Sequence, residues 1–186
     1  NFLSHQARLD GHSCLPPVPS PARNGYRNKI VLHALPNDPS CALGYFGPDN
    51  RSIIDVPACP LAADSINTYL ATIRKNANLA DGLSQPLTLT LRSVRGREPL
   101  HWIGKSPPAV LIEESTQLGP VHVPAGSFFQ VNHAVASALL TAFMIDLVSL
   151  KAEAAIDMYG GVGLFGLAAA RQGVPLVLVV DSDPAA

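Results

Sequence analysis

The spacing of apolar and polar residues changes period several times along the chain. Tyr26–Leu35 alternates, with Ile30, Leu32 and Ala34 on one side, which predicts a strand. Pro36-Asn37-Asp38-Pro39 supplies a turn, Ala42–Gly47 is the expected antiparallel partner, and Ser52–Val56 adds a third strand. From Leu61 to about Asn78, Leu61, Ala62, Ile66, Tyr69, Leu70 and Ile73 recur at helical spacing. From Pro86 the period returns to two: Leu87, Leu89 and Leu91 alternate with Thr88, Thr90 and Arg92. Ala109–Glu113 and Val121–Pro124 are weaker strand candidates, and Val131–Leu150 predicts a long helix of alanine, leucine, phenylalanine and methionine. Ala154–Met158 then predicts a short buried strand, Gly163–Gln172 a small-residue helix and Leu176–Val180 a β-branched strand. That order is a βαβ unit, whose strands should be parallel and whose crossover should be right-handed.

These elements define the expected fold class: an α+β antiparallel module followed by the start of an α/β Rossmann-like domain. The first covers residues 1–125, opening on a proline-punctuated irregular strap (residues 1–25), and the second runs over 126–186. Doubly wound sheets use about five to seven strands to cover both faces, and only two are present. The chain is therefore expected to be a fragment.

Composition adjusts this picture modestly. Apolar residues make up 47% of the 186, enough for a core. The net charge of −1 excludes a globally basic nucleic-acid binder. It is an average, however. Residues 1–134 hold 11 basic and 9 acidic side chains, and residues 135–186 hold 2 and 5, so an RNA-facing front is permitted. Cys14, Cys41 and Cys59 are odd in number and lack CxxC spacing, which favours a reducing, cytoplasmic setting over a disulfide framework. Ser137, Thr141 and Asp146 interrupt the most apolar stretch, so no membrane association is expected.

The strongest chemical signal is Asp157-Met158-Tyr159-Gly160-Gly161-Val162-Gly163-Leu164-Phe165-Gly166, with four glycines in seven residues between a strand and a helix. Such a turn lets the backbone approach a ligand closely in front of a helix N-terminus. Asp181 ends the next strand, where a carboxylate can accept ribose hydroxyls. Gly161–Gly166 fits GxGxxG, so an NAD(P)- or FAD-binding oxidoreductase is one reading. Against it, Asp157 would repel a pyrophosphate. An acid there suits S-adenosylmethionine, which carries an amino group and a sulfonium and has no phosphate. A turn that merely packs helix on strand is the non-functional alternative.

The Asp157–Phe165 stretch resembles the cofactor loop D-L-[YF]-C-G-x-G-x-F of the RNA (uracil-5)-methyltransferases. Three further segments resemble that family in the same order: Gly25-Tyr26-Arg27-Asn28-Lys29, Asp55-Val56-Pro57-Ala58-Cys59-Pro60-Leu61 and Gly126-Ser127-Phe128-Phe129-Gln130-Val131-Asn132. The resemblance implies an S-adenosylmethionine-dependent enzyme methylating carbon 5 of a uridine in ribosomal or transfer RNA. In that family a cysteine thiolate adds to C6, making C5 nucleophilic, and a carboxylate later removes the C5 proton. The target base leaves its stack to reach the site. By the resemblance, Gln130, Asp157, Tyr159, Gly161, Gly163, Leu164 and Asp181 would form the cofactor site. Phe128 would line the pocket of the extruded base, and Arg27 and Lys29 would face RNA further away.

Each assignment has a plainer rival. Gln130 could only cap the following helix, Phe128 could be core, Arg27 and Lys29 could be a solvated strand face, and His133 a surface helix residue. Gly160 stands where the family has a cysteine that is not the nucleophile. The nucleophile and base are expected beyond Ala186, so this chain should hold no catalytic residue and be inactive by itself. Some members hold a four-iron–four-sulfur cluster. Only Cys59 matches a cluster ligand, and one thiolate cannot hold a cluster, so no cluster is expected and Cys59 should be a small buried hydrophobe. A non-catalytic RNA-binding module is the third reading.

Overall fold

The computed structural model describes residues 16–38, 40–76, 79 and 82–184. Strands β1 (Lys29–Ala34), β2 (Gly44–Phe46), β3 (Ile53–Asp55), β4 (Leu87–Arg92) and β5 (Leu100–Ile103) form an antiparallel sheet in the order β3-β2-β1-β4-β5. Helix α1 (Asp64–Asn76) lies on one of its faces. The two-residue period in β1 and β4 points Ile30, Leu32, Leu89 and Leu91 at that helix, where they meet Ile66 and Leu70, all at most 2% exposed.

The β1, β2 and β3 expectations hold, with shorter strands than the alternation suggested. Strand β5 was not foreseen. It pairs with β4 through Thr90↔Trp102 and Leu91↔His101, but Leu100–Ile103 is only four residues long and follows the charged turn Arg95–Glu98. A strand that short shows no readable period.

β6 (Leu111–Thr116) and β7 (Gly119–Pro124) form a two-stranded hairpin. It is followed by α2 (His133–Leu150), whose N-cap Asn132 accepts a hydrogen bond from the Val135 amide at 3.2 Å. The remaining elements are β8 (Ala154–Met158), α3 (Leu164–Arg171) and β9 (Leu176–Val180), with β8 and β9 parallel in the register Ala154↔Leu176 to Met158↔Val180. A second core gathers Leu118, Val123, Phe129, Leu140, Leu164 and Ala168, and so welds hairpin, α2 and α3 together.

Two expectations are corrected here. Strand β8 is not buried: Ile156 and Met158 are 64% and 61% exposed, because only one face of the pair is covered, by α3. The helix α2 is, by length and composition, apolar enough to cross a membrane, its few hydroxyls and Asp146 being too sparse to break the run. Leu140 and Phe143 seat it in the second core as a packing helix.

The antiparallel sheet and the later elements are pinned by Arg92. This 1%-exposed guanidinium donates to the carbonyls of Pro124, Ala125 and Ser127 and pairs with Glu114 Oε1 at 3.0 Å. Glu114 Oε2 lies 3.1 Å from His133 Nε2, which also meets Asn28 Nδ2 at 2.8 Å. His133 is thus the exposed first residue of α2, as its reading as a surface helix residue has it, and also a junction between the two parts. Nothing in the spacing of Arg92, Glu114 and His133 announces this network.

Candidate cofactor site

The turn between β8 and α3 is built for close approach. Tyr159, Gly161 and Gly163 have positive φ (60°, 54° and 74°), which glycine adopts freely and tyrosine rarely. The turn is tied to β9 by Gly160 N–H to the Val180 carbonyl at 3.1 Å. A Cβ at Gly166 would lie 2.4 Å from Val179 Cγ2, so helix and strand touch at a distance only glycine allows. Gly160 is equally confined: a Cβ there would meet Val179 Cγ1 at 2.6 Å and Asp157 Oδ2 at 2.9 Å. The cysteine expected from the family pattern would not fit this backbone without a shift.

The two acids have structural partners. Gly163, the N-cap of α3, has no side chain with which to cap, and Asp157 supplies the missing acceptor from β8, its Oδ2 taking the Gly166 N–H at 2.9 Å. Asp181 accepts the Gly161 N–H on Oδ2 at 2.6 Å and the Asp183 N–H on Oδ1 at 2.7 Å. These backbone hydrogen bonds hold its carboxyl below the usual range. Asp181 is itself exposed to solvent.

A groove of about 80 Å³ is lined by Phe128, Gln130, Tyr159, Gly161 and Leu164, with Phe129, Gly160, Val162 and Phe165 completing its walls. Five expected site residues, from two segments nearly thirty residues apart, therefore share one surface. Gly163 and Asp181 do not line it but shape the turn, and Asp157 stands behind it. The apolar wall residues were missed because they read as core. The plainer readings of two residues fail: Phe128 is 69% exposed, and the cap of α2 is Asn132, which leaves Gln130 free to line the groove.

Arg27 and Lys29 lie away from this groove. Neither is a solvated strand face: both are half-buried, and Lys29 Nζ reaches the Gly126 carbonyl at 3.4 Å. Cys59 is 4% exposed, as expected of a packed thiol, and takes a contact from the Tyr45 hydroxyl at 3.4 Å. Burial pushes that phenol up to about 12. Cys14 lies outside the described residues.

Asp157 also tests which nucleotide the turn suits. Its carboxylate occupies the amide that a pyrophosphate would take at a helix N-terminus. The N-terminus of α3 therefore already holds an anion from within the chain.

No protein-family model matches the chain. It is 24% identical over 185 residues to the tRNA (uracil(54)-C(5))-methyltransferase of Schizosaccharomyces pombe, covering 91% of this chain and 35% of that protein. It is 26% identical over 222 residues to an uncharacterized RNA methyltransferase of Synechocystis sp., covering 89% of this chain and 48% of that one. Among solved structures it is similar to Pyrococcus abyssi tRNA (uracil-54, C5)-methyltransferase in complex with S-adenosyl-L-homocysteine, with a TM-score of 0.63, 22% identity, and coverage of 89% of this chain and 51% of that one. The chain spans about half or less of the length of these relatives. The first relative carries the name of the family that the motifs resemble, the second is named more broadly as an RNA methyltransferase, and the third is a likeness of fold.

Proposed function

We propose that the chain is part of an S-adenosylmethionine-dependent enzyme that methylates carbon 5 of a uridine in tRNA or rRNA, acting in the cytoplasm. The observation carrying this reading is the shared groove of Phe128, Gln130, Tyr159, Gly161 and Leu164. In this reading residues 1–125 are the central module, and residues 126–186 begin the Rossmann-like methyltransferase domain. The bound cofactor supplies an electrophilic methyl group on a sulfonium.

The chain's own residues bind and orient. The exposed Asp181 carboxylate accepts from the ribose hydroxyls while fixing Gly161. The Gln130 amide and the exposed Tyr159 ring flank the groove, and Leu164 covers its floor. Phe128, projecting from the loop, gives an extruded base a surface to lie against. The nucleophile and base are assigned to segments outside these 186 residues, so the chain should bind without turning over.

Calorimetric titration with S-adenosylhomocysteine and, separately, with NADH tests the reading. Saturable heat with the homocysteine compound and none with NADH is expected. The reverse result would overturn it in favour of an oxidoreductase.

A further inference from the structure

The antiparallel sheet has a second face, which α1 does not cover. Register places Val31, Thr90 and Trp102 in one row across β1, β4 and β5, with Lys29 two residues along β1 on the same side. This face opens into a cavity of about 640 Å³, which includes Lys29, Trp102, Lys105, Gly126 and Ser127 in its lining. Trp102 is the chain's one tryptophan, and Lys29 Nζ sits 5.6 Å from its ring centroid. The same face continues to His33 and Phe46, whose rings are 4.7 Å apart.

We propose that this cavity binds one nucleotide of a single-stranded RNA, the base stacked on Trp102 and the neighbouring phosphates held by Lys29 and Lys105. The proposal rests on the RNA-methyltransferase reading and adds a site to it.

Three observations favour this occupant. An aromatic ring sharing a cavity with two ammonium groups on a sheet face suits a stacked base with its phosphates. An apolar protein segment there would instead bury two ammonium groups with no countercharge from itself. Lys29 is already half-buried, and burial together with the Arg92 charge lowers its pKa, a cost to the ammonium that an incoming phosphate would offset. The acid on the rim, Asp183, is engaged by the Ser127 hydroxyl at 2.9 Å.

Position supplies the third. Ser127 lines this cavity and its neighbour Phe128 lines the cofactor groove. The two sites thus adjoin through consecutive residues of one loop, as sites for two neighbouring nucleotides would.

Trp102 is its own reporter. The 186-residue chain is titrated with oligouridylate and with an abasic ribose-phosphate strand of equal length, following tryptophan emission and, in parallel, the anisotropy of a labelled strand. Saturable quenching by oligouridylate, with little by the abasic strand, is expected. Trp102→Ala should weaken RNA binding about tenfold and Trp102→Phe much less. Lys29→Gln and Lys105→Gln should each lower the slope of log affinity against log salt by about 0.7.

RNA binding with unmoved emission and unchanged Trp102→Ala affinity would overturn the subsite and leave the methyltransferase reading intact. Equal quenching by the abasic strand would reduce it to an anion site and overturn the stacking. No RNA binding, with S-adenosylhomocysteine still bound, would overturn both the subsite and the RNA substrate class. Trp102→Phe keeps the proposal testable should Trp102→Ala fail to fold.

Discussion

At the scale of single residues, the cofactor turn works because side chains are lent or withheld. Asp157 serves as an N-cap from a neighbouring strand, since Gly163 must be bare to hold φ at 74°. Asp157→Ala should cost about 1 kcal/mol in a urea melt, while Asp157→Asn, which keeps an oxygen acceptor, should lose much less. Gly166 withholds a Cβ that would lie 2.4 Å from Val179 Cγ2. Gly166→Ala should therefore destabilise by about 1–3 kcal/mol through overpacking. Most of that loss should return in a Val179→Ala background, and melts of the two single variants and the double variant measure the coupling. The glycines and both acids were legible in the sequence, because a glycine-rich turn between strand and helix has few other uses. Their partners were not: that Asp157 faces an amide rather than a ligand follows only from the folded register of β8 against α3.

At the scale of elements, the loop carrying Phe128 and Gln130 is held at its base by a cation in the neighbouring sheet. Arg92 donates to three carbonyls between Pro124 and Ser127 and is neutralised by Glu114. Removing one partner of a buried pair leaves an uncompensated charge, so Arg92→Met alone should cost about 3–5 kcal/mol. Arg92→Met combined with Glu114→Leu should cost less than the single change, by chemical denaturation. Burial pushes the Glu114 carboxyl up, but hydrogen bonds and charge from His133 and Arg92 outweigh it and leave it below the ordinary value. A carboxyl depressed in the folded state contributes stability above its unfolded pKa and loses it as pH falls through the folded one. Glu114→Gln should therefore flatten the acid side of the stability–pH profile. Period and capping residues made nearly every helix and strand readable, including Asn132 as a neighbour of the start of α2. The short β5 and the Arg92 clamp escaped because neither leaves a repeating pattern; the clamp joins residues 22 apart that share only charge.

At the scale of the whole molecule, the parallel pair β8–β9 is covered on one side only. Asp157, Val177 and Val179 face α3, while Ile156, Met158, Leu176 and Leu178 on the other side are all more than half exposed. Parallel strands occur almost only in sheets covered on both faces, and a contiguous apolar patch beside an unpaired strand edge invites association. The relatives that this chain resembles are about two to three times its length, which leaves ample chain in them to cover such a face. The 186-residue chain should consequently self-associate reversibly, its sedimentation coefficient rising with concentration. Ile156→Lys and Leu178→Lys, which pair across the bare face, should each lower that dependence without altering the melt of the antiparallel sheet. A concentration-independent coefficient for the unaltered chain would show that the face is covered from within. Such a result would place helix α2, whose Leu139, Ile145 and Val148 are also exposed, as the first candidate to fold over it.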